Sequence, residues 1–148
     1  MRLRSGEALA AAGGLALVVV MFLGWYTEGD RALSAWEAFS VADVLLLLAA
    51  LLPLALAVAT VTQRTPAVPV GLGVLTLATA LIVGLVLLYR ILNEPGPDDL
   101  VEVRIGAWLG LLCLALVAAG AWIAVEDERP RPGDPVVVDV ERRAAPPA

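Results

Sequence analysis

The chain has 148 residues, of which 60% are hydrophobic and 17% are charged, and its formal net charge is −5. A soluble domain is usually about 45–50% apolar, so this composition, with a mean hydropathy of +0.87, indicates an integral membrane protein. With no histidine, a single cysteine and an excess of acids, the chain lacks the residues for a Cys/His zinc site, a histidine-ligated haem, a disulfide or a nucleic-acid-binding face. We therefore expect no metal, no cofactor and no nucleic-acid partner.

The first apolar segment runs from about 8 to 26 and reads ALAAAGGLALVVVMFLGWY. At 1.5 Å per residue it is long enough to cross a hydrocarbon core of about 30 Å, with Trp25 and Tyr26 at its far end. A cleaved signal peptide is the alternative, because Arg2 and Arg4 precede the apolar run. The long run, and an A-x-A-like site that lies beyond several charged residues, favour a retained span.

The second apolar segment, from about 41 to 61, follows a helix-start signal. Ser34 and Glu37 have the spacing of a capping box, which predicts that the helix begins before the membrane does. Pro53 lies inside the apolar run, lacks a backbone N–H and crowds the carbonyl four residues earlier, so a kink is predicted there. The kink is either an ordinary feature of a membrane helix or a hinge.

Two further apolar segments run from about 70 to 92 and from about 105 to 125. The third stops at NEPGPDD, where prolines and a glycine prevent helix continuation. Asp99 and Glu102 have capping spacing before the fourth. The remaining residues, 126–148, are charged and proline-rich, which predicts a disordered tail.

The distribution of arginine, the sole basic residue type, predicts the orientation. In a four-span arrangement one side holds Arg2, Arg4, Arg64, Arg129, Arg131, Arg142 and Arg143, and the other holds Arg31, Arg90 and Arg104. Since the arginine-rich side is usually cytoplasmic, both termini are predicted to be cytoplasmic in a multi-pass protein of the cell membrane. The predicted fold class is all-α: an integral membrane four-helix bundle over 1–125, followed by the tail.

Small residues at helical spacing predict where the helices pack, because lipid gives no hydrophobic drive between helices and close backbone contact takes its place. The predicted packing residues are Gly106, Gly110, Cys113 and Gly120 in the fourth span, Ala10 and Gly14 in the first, and Ala80 and Gly84 in the third. Packing within the chain is favoured over packing with a second copy. Cys113 is interpreted as a small apolar filler, not as a reactive thiol.

Asp43 is the acid that lies just inside an apolar segment, less than one turn from its outer end. Arg90, after Tyr89 at the end of the third span, and Arg104, before the fourth, are expected at the same depth. We predict a polar cluster of these four residues in the outer leaflet. The cluster is interpreted as a structural pair that fixes helix register, and the alternative is a functional site.

Four tryptophans are placed as a membrane protein's interfacial belts would place them. Trp25, Trp36 and Trp108 are predicted at the outer interface and Trp122 near the inner one. The sequence has no histidine base, nucleophile elbow, Walker loop or thiol pair. We therefore predict that the protein is not an enzyme.

Four stretches together, FLGWY, SAWEAFSVADVLLLLAAL, LLYRILNEPG and RIGAWLGLL, resemble a family of small, uncharacterised four-span membrane proteins of high-GC actinobacteria. FLGWY departs from the FLPWY form of that family, and the resemblance covers about 1–128. The resemblance implies a topology and a membrane compartment, and it implies no activity.

Two functional classes follow. The first is a non-catalytic structural, assembly or accessory component of the membrane, whose partners are the lipid bilayer and either further copies or another membrane protein. The second is a small transporter or channel subunit that uses the Asp43 cluster. Small multidrug transporters carry an essential acid midway along their first span, whereas this chain has only Glu7 at the entrance of that span.

Overall fold

The computed structural model describes residues 3–28, 30–38, 42–62, 67–93 and 101–128. This part of the chain is mostly helical, which confirms the all-α prediction at the level of class. The elements are α1 (Ser5–Val20), β1 (Gly24–Glu28), β2 (Arg31–Ser34), α2 (Ala35–Ala38), α3 (Ala42–Thr62), α4 (Ala67–Leu92), β3 (Val101–Val103) and α5 (Ile105–Asp127).

Three of the helices, α3, α4 and α5, are long and apolar enough to cross a membrane. They contain 21, 26 and 23 residues, and at 1.5 Å per residue each exceeds the roughly 30 Å of a hydrocarbon core. Their bounds lie within three residues of the predicted segments. Helix α1 is apolar but has only 16 residues, which gives it a length of about 24 Å.

The first predicted span is too long, because α1 ends at Val20 and not at residue 26. The amides of Phe22 and Leu23 donate to the carbonyls of Val19 and Val20, three residues earlier, so the helix closes in a tight turn. The chain then becomes extended at Gly24 and forms the central strand of a small antiparallel sheet in the order β2-β1-β3. This sheet was not predicted from the sequence.

The four long helices pack in a ring, in which α1 and α4 each contact both α3 and α5. Glycine allows the closest approaches. A Cβ on Gly120 would overlap the backbone of α1 at Ala10, and a Cβ on Gly14 would lie 2.5 Å from the Ala50 carbonyl oxygen of α3. The α1–α5 and α1–α3 contacts therefore depend on backbones that touch with no side chain between them.

The predicted packing residues differ in what they contact. Ala10, Ala80 and Cys113 are buried, and Gly120 and Gly14 lie at helix contacts. Gly110 packs against the indole of Trp25 in β1, and Gly106 packs against both the Gly24 backbone and the Trp25 indole, so both contact β1 instead of another helix. Gly84 differs from all of these residues, because a Cβ there would meet no atom within 4 Å.

Helix α3 runs without a break through Pro53, which is buried. Proline lacks a backbone N–H and its ring adds bulk to the helix surface, and here the ring of Pro53 fills the space that Gly14 leaves open on α1. Pro53 therefore acts as a packing residue in the α1–α3 contact.

The helix-start signals are partly as predicted. The amide and hydroxyl of Ser34 both donate to the Glu37 carboxylate, each at 3.1 Å, but the helix that follows, α2, has only four residues. Glu102 lies in β3 and therefore does not cap α5, which begins after Arg104. The predictions for Arg2, Arg64, Asp99 and the tail beyond residue 128 concern positions outside the described residues.

Candidate functional site: two buried carboxylates

Asp43 lies in the first turn of α3, on the stripe of that helix that is buried by its neighbours. Leu46, Ala50 and Pro53 follow it on the same stripe at spacings of three and four residues. Only 6% of Asp43 is exposed. Its Oδ1 atom is buried and accepts no hydrogen bond from the residues that the structure describes. A buried carboxylate oxygen without a donor is costly, because it loses water and gains nothing in return.

The structure does not bring the predicted cluster together as an ion pair. Among the residues it describes, salt bridges join Arg4 to Glu128 and Arg31 to Glu37, and none joins Asp43 to an arginine.

The two arginines predicted to pair with Asp43 make other contacts in the structure. Arg104 lies beside Gly24, and its amide donates to the Trp25 carbonyl at 2.8 Å. Arg90 lines a small apolar cavity between α3 and α4, next to Ala42, and its carbonyl accepts a hydrogen bond from the Tyr26 hydroxyl at 3.4 Å.

Tyr89 faces outward and is 63% exposed. Its hydroxyl accepts a hydrogen bond of 2.8 Å from the Asn93 amide, four residues later on the same side of α4. Tyr89 therefore belongs to the outer surface of the helical ring and not to the surroundings of Asp43.

A second carboxylate, Glu7, is buried at the opposite end of the molecule, with 3% of the residue exposed. Its Oε2 accepts a 2.6 Å hydrogen bond from the Arg4 amide, and its Oε1 accepts a 3.2 Å bond from the Thr60 hydroxyl of α3. The same hydroxyl lies 3.0 Å from the Leu56 carbonyl, so one proton is shared between two acceptors. Glu7 therefore satisfies the first turn of α1 and joins α1 to α3.

A small cavity lies beside Glu7. It has a volume of about 10 Å³ and is lined by Glu7, Glu128, Pro69 of the first turn of α4 and Ala124 of α5. This volume admits about one water molecule. Arg4 neutralises Glu128 across the same end of the ring, with 3.2 Å between Nη1 and Oε1.

The sequence predicts Glu7 at the entrance of the first span, and it also contains a signal for the burial of this residue. It lies three residues before Ala10 and seven before Gly14, and these spacings place all three residues on one helix face. Since Ala10 and Gly14 were predicted to pack, the same periodicity predicts that Glu7 is buried and requires a partner.

The two carboxylates lie far apart. Asp43 and Thr60, the partner of Glu7, lie on the same helix, and the rise of an α-helix separates them by about 25 Å. A general acid–base or nucleophile pair requires groups within hydrogen-bond reach, about 3 Å. Asp43 and Glu7 therefore cannot act on one substrate atom.

The predicted interface anchors are divided by the structure. Trp36, Trp108 and Trp122 all have exposed side chains, and the Trp36 ring lies 6.0 Å from that of Phe22. Trp25 is completely buried. Its Nε1 donates to the Val20 carbonyl at 2.7 Å, so this indole closes the end of α1 and is not a lipid-facing anchor.

None of the models of known protein families matches the chain, and no curated protein matches it.

Proposed function

We propose that this chain is a non-catalytic integral membrane protein with four crossing helices, serving as a structural, assembly or accessory component of the cell membrane. The observation that carries the proposal is the apolar outer surface of α3, α4 and α5, each of which is long enough to cross a bilayer. Large apolar side chains such as Val58, Leu75 and Leu85 are exposed on these helices. Water would disfavour such a surface, and hydrocarbon accommodates it.

Helix α1 is proposed as the fourth crossing, although it is shorter than its neighbours. Its length of about 24 Å falls short of a 30 Å core, but Phe22 and Leu23 continue the exposed apolar surface beyond its end. The bilayer also adapts to short spans by local thinning, at modest cost. Burial of α1 between α3 and α5 further supports its place among the spans.

The proposed orientation places both termini in the cytoplasm. The salt bridge between Arg4, before α1, and Glu128, after α5, supports a common side for the two ends of the described chain. The excess of arginine on that side in the four-span arrangement supports a cytoplasmic assignment. The small sheet then lies at the outer face. The resemblance to four-span actinobacterial proteins agrees with this arrangement.

Membrane fractionation tests the proposal. The full chain, expressed in bacteria, is expected to remain in the membrane pellet through washes with high salt and with alkaline carbonate, and to be released by detergent. Salt and carbonate remove proteins that adhere to the surface, but they do not remove helices that cross the bilayer. Release of the chain into buffer without detergent contradicts the proposal.

A second candidate function, a transporter or channel subunit, is favoured by one observation, the unpartnered Oδ1 atom of Asp43. Buried ionisable groups inside membrane helices often lie on ion pathways. The test is proton flux into liposomes that contain the purified chain and a trapped pH-sensitive dye. We expect no flux above that of empty liposomes. Flux that is abolished by Asp43→Asn, and is retained by Asp30→Asn at an exposed position of the same end, supports the second candidate.

A further inference from the structure

The carboxyl group of Asp43 belongs to a helix face that is otherwise apolar. The stripe of α3 that carries it continues through Leu46 and Ala50, which are buried in the hydrophobic core. The preceding residue, Ala42, packs against the same core and lines the small cavity between α3 and α4. Since almost none of Asp43 is exposed, its side chain has lost most of its contact with water.

One oxygen of this carboxyl group has no hydrogen-bond donor in the part of the chain that the structure describes. That oxygen is Oδ1 of Asp43, and it is buried. Glu7, the other buried acid, accepts hydrogen bonds at both of its oxygens. Asp43 therefore loses hydration without the replacement that Glu7 receives.

A cation could stabilise the charged form of Asp43 in place of hydrogen bonds, and arginine is the basic residue type of this chain. Arg90 of α4 approaches the same end of α3 at Ala42. Arg104, which precedes α5, lies beside Gly24. Among the described residues, neither arginine forms a salt bridge with Asp43.

The remaining elements at this end of the ring supply no cation that pairs with Asp43 among the described residues. Helix α1 has no charged residue after Glu7. The charged residues of the sheet, its β1–β2 turn and α2 are Glu28, Asp30, Arg31, Glu37 and Glu102. Arg31, the base of this set, pairs with Glu37 at 3.0 Å. The described part of the chain also has no group of three acids or cysteines that could hold a metal ion.

The N-terminus of α3 is a further source of positive charge. Asp43 lies in the first turn of this helix, where the helix dipole favours a carboxylate. That interaction is weaker than one hydrogen bond to a charged group, and a carboxylate in water accepts several. The charged form of Asp43 is therefore poorly compensated. A buried acid in this situation takes up a proton, because the proton removes the charge.

We propose that Asp43 binds one proton in the folded protein and is a neutral carboxylic acid at neutral pH. The proton is the ligand of this site, and the apolar face around Leu46 and Ala50 excludes the water that would stabilise the carboxylate. This inference goes beyond the proposed function, because it assigns a bound ligand to a component for which none is proposed. It requires no proton transport, since a proton in a closed site can stay bound without crossing the membrane.

Infrared spectroscopy detects the bound proton directly, because the C=O stretch of a carboxylic acid lies at a higher frequency than the bands of a carboxylate. The full chain is purified in a maltoside detergent, which has no ester carbonyl in this spectral region. One sample carries aspartate labelled with ¹³C at the side-chain carboxyl carbon. At neutral pH we expect one carboxylic acid band per chain that the label shifts to lower frequency. The band should disappear at alkaline pH.

Two substitutions assign the band to its residue. Asp43→Asn replaces the acid by an uncharged group of nearly the same shape and is expected to abolish the band. Asp43→Leu is expected to do the same, and it keeps the test decisive if the amide disturbs folding. Asp30→Asn is the matched control, because Asp30 is exposed at the same end. It is expected to leave the band at full intensity. Thermal unfolding in detergent verifies that each variant folds.

Three results overturn the proposal. Absence of the acid band from the original chain at neutral pH means that Asp43 is ionised. A band that survives both Asp43 substitutions belongs to another aspartate. A band that appears only in Arg90→Gln or Arg104→Gln means that an arginine holds Asp43 in its charged form. None of these results contradicts membrane insertion, which fractionation tests separately.

Discussion

The two ends of the helical ring each bury one carboxylate, and they treat it differently. At one end both oxygens of Glu7 accept hydrogen bonds, from the Arg4 amide and the Thr60 hydroxyl. At the other end Oδ1 of Asp43 accepts none, although Asp43 is almost as deeply buried. A carboxylate with donors contributes to stability, and one without them lowers it. Burial alone therefore does not distinguish a structural acid from a candidate functional site. The hydrogen-bond donors around the carboxylate make that distinction.

The contact that holds α1 in place should give the largest effect. Gly120→Leu inserts a side chain where the backbone of α1 lies at Ala10. Since a rigid backbone cannot move aside as a flexible side chain can, we expect a loss of at least about 3 kcal/mol in the free energy of unfolding. Gly71→Leu, in open space on α4, is the control and should change it by less than about 1 kcal/mol. Chemical unfolding in detergent measures both, and equal effects contradict the packing described here.

Removal of the Glu7 carboxylate should lower the free energy of unfolding. Glu7→Leu leaves the Arg4 amide without an acceptor and removes the link to α3. Hydrogen bonds to charged groups contribute about 1.5–3 kcal/mol each, so we expect a loss of about 3 kcal/mol, measured by the same unfolding.

A matched pair of threonines isolates the link between α1 and α3. Thr60 and Thr62 both donate to the carbonyl four residues earlier, but Thr60 also reaches Glu7, whereas Thr62 is exposed. Thr60→Val is expected to cost about 1 kcal/mol more than Thr62→Val. No difference between the two variants indicates that Glu7 does not join the helices.

Loss of the Asp43 carboxylate should change the free energy of unfolding much less than loss of the Glu7 carboxylate. Asp43→Leu removes an oxygen that has no donor, at the loss of a favourable interaction between an acid and a helix N-terminus, about 0.3–1 kcal/mol. Because these terms oppose each other, we expect the free energy of unfolding to stay within about 1 kcal/mol of the original. A loss as large as that of Glu7→Leu means that Asp43 has a partner and removes the contrast between the two ends.

The smallest expected effect on stability concerns Glu37, an exposed acid of α2 next to the sheet. Hydrogen bonds from the Ser34 amide and hydroxyl, with Arg31 nearby, lower the pKa of Glu37 below its ordinary value of 4.5. A lowered folded-state pKa stabilises the fold above pH 4.5, and this contribution is lost as the pH falls through the folded-state value. The protection of residues 31–38 against hydrogen exchange, corrected for the pH dependence of the intrinsic exchange rate, should therefore fall below that pH. Glu37→Gln should have low protection throughout and show no such step.

The long helices were predictable because length and continuous apolar character define them. Helix α5 begins at Ile105 and α3 at Ala42, within one residue of the expected starts. These segments have few charges and few breakers, and an uninterrupted apolar run of this length predicts a helix.

The end of α1 was not predictable from hydropathy. Residues 21–26 are as apolar as the helix before them, but they turn and form a strand because Trp25 is held in the fold's interior. Its indole packs against Gly106 and Gly110 of α5. The G-x-x-x-G pattern correctly indicated a close contact, but the sequence does not state whether a helix or an aromatic ring fills it.

The candidate site was predicted in part. The proximity of Arg90 to the Asp43 end of α3 follows from the helix lengths. The absence of an ion pair between Asp43 and a described arginine does not, because the position of Arg104 beside Gly24 depends on the small sheet. Side-chain pairing at the end of a bundle is determined by the connections there, and these were the least regular part of the sequence.

The measurement that tests the four-crossing arrangement most directly is cysteine labelling in intact cells with a membrane-impermeant maleimide. Cys113→Ala removes the natural thiol, and single cysteines then replace exposed Ser5, Asp30 and Asp127. We predict that the cysteine at 30 reacts from outside, and that those at 5 and 127 react only after permeabilisation. Labelling of positions 5 and 127 from opposite sides of the membrane contradicts four crossings.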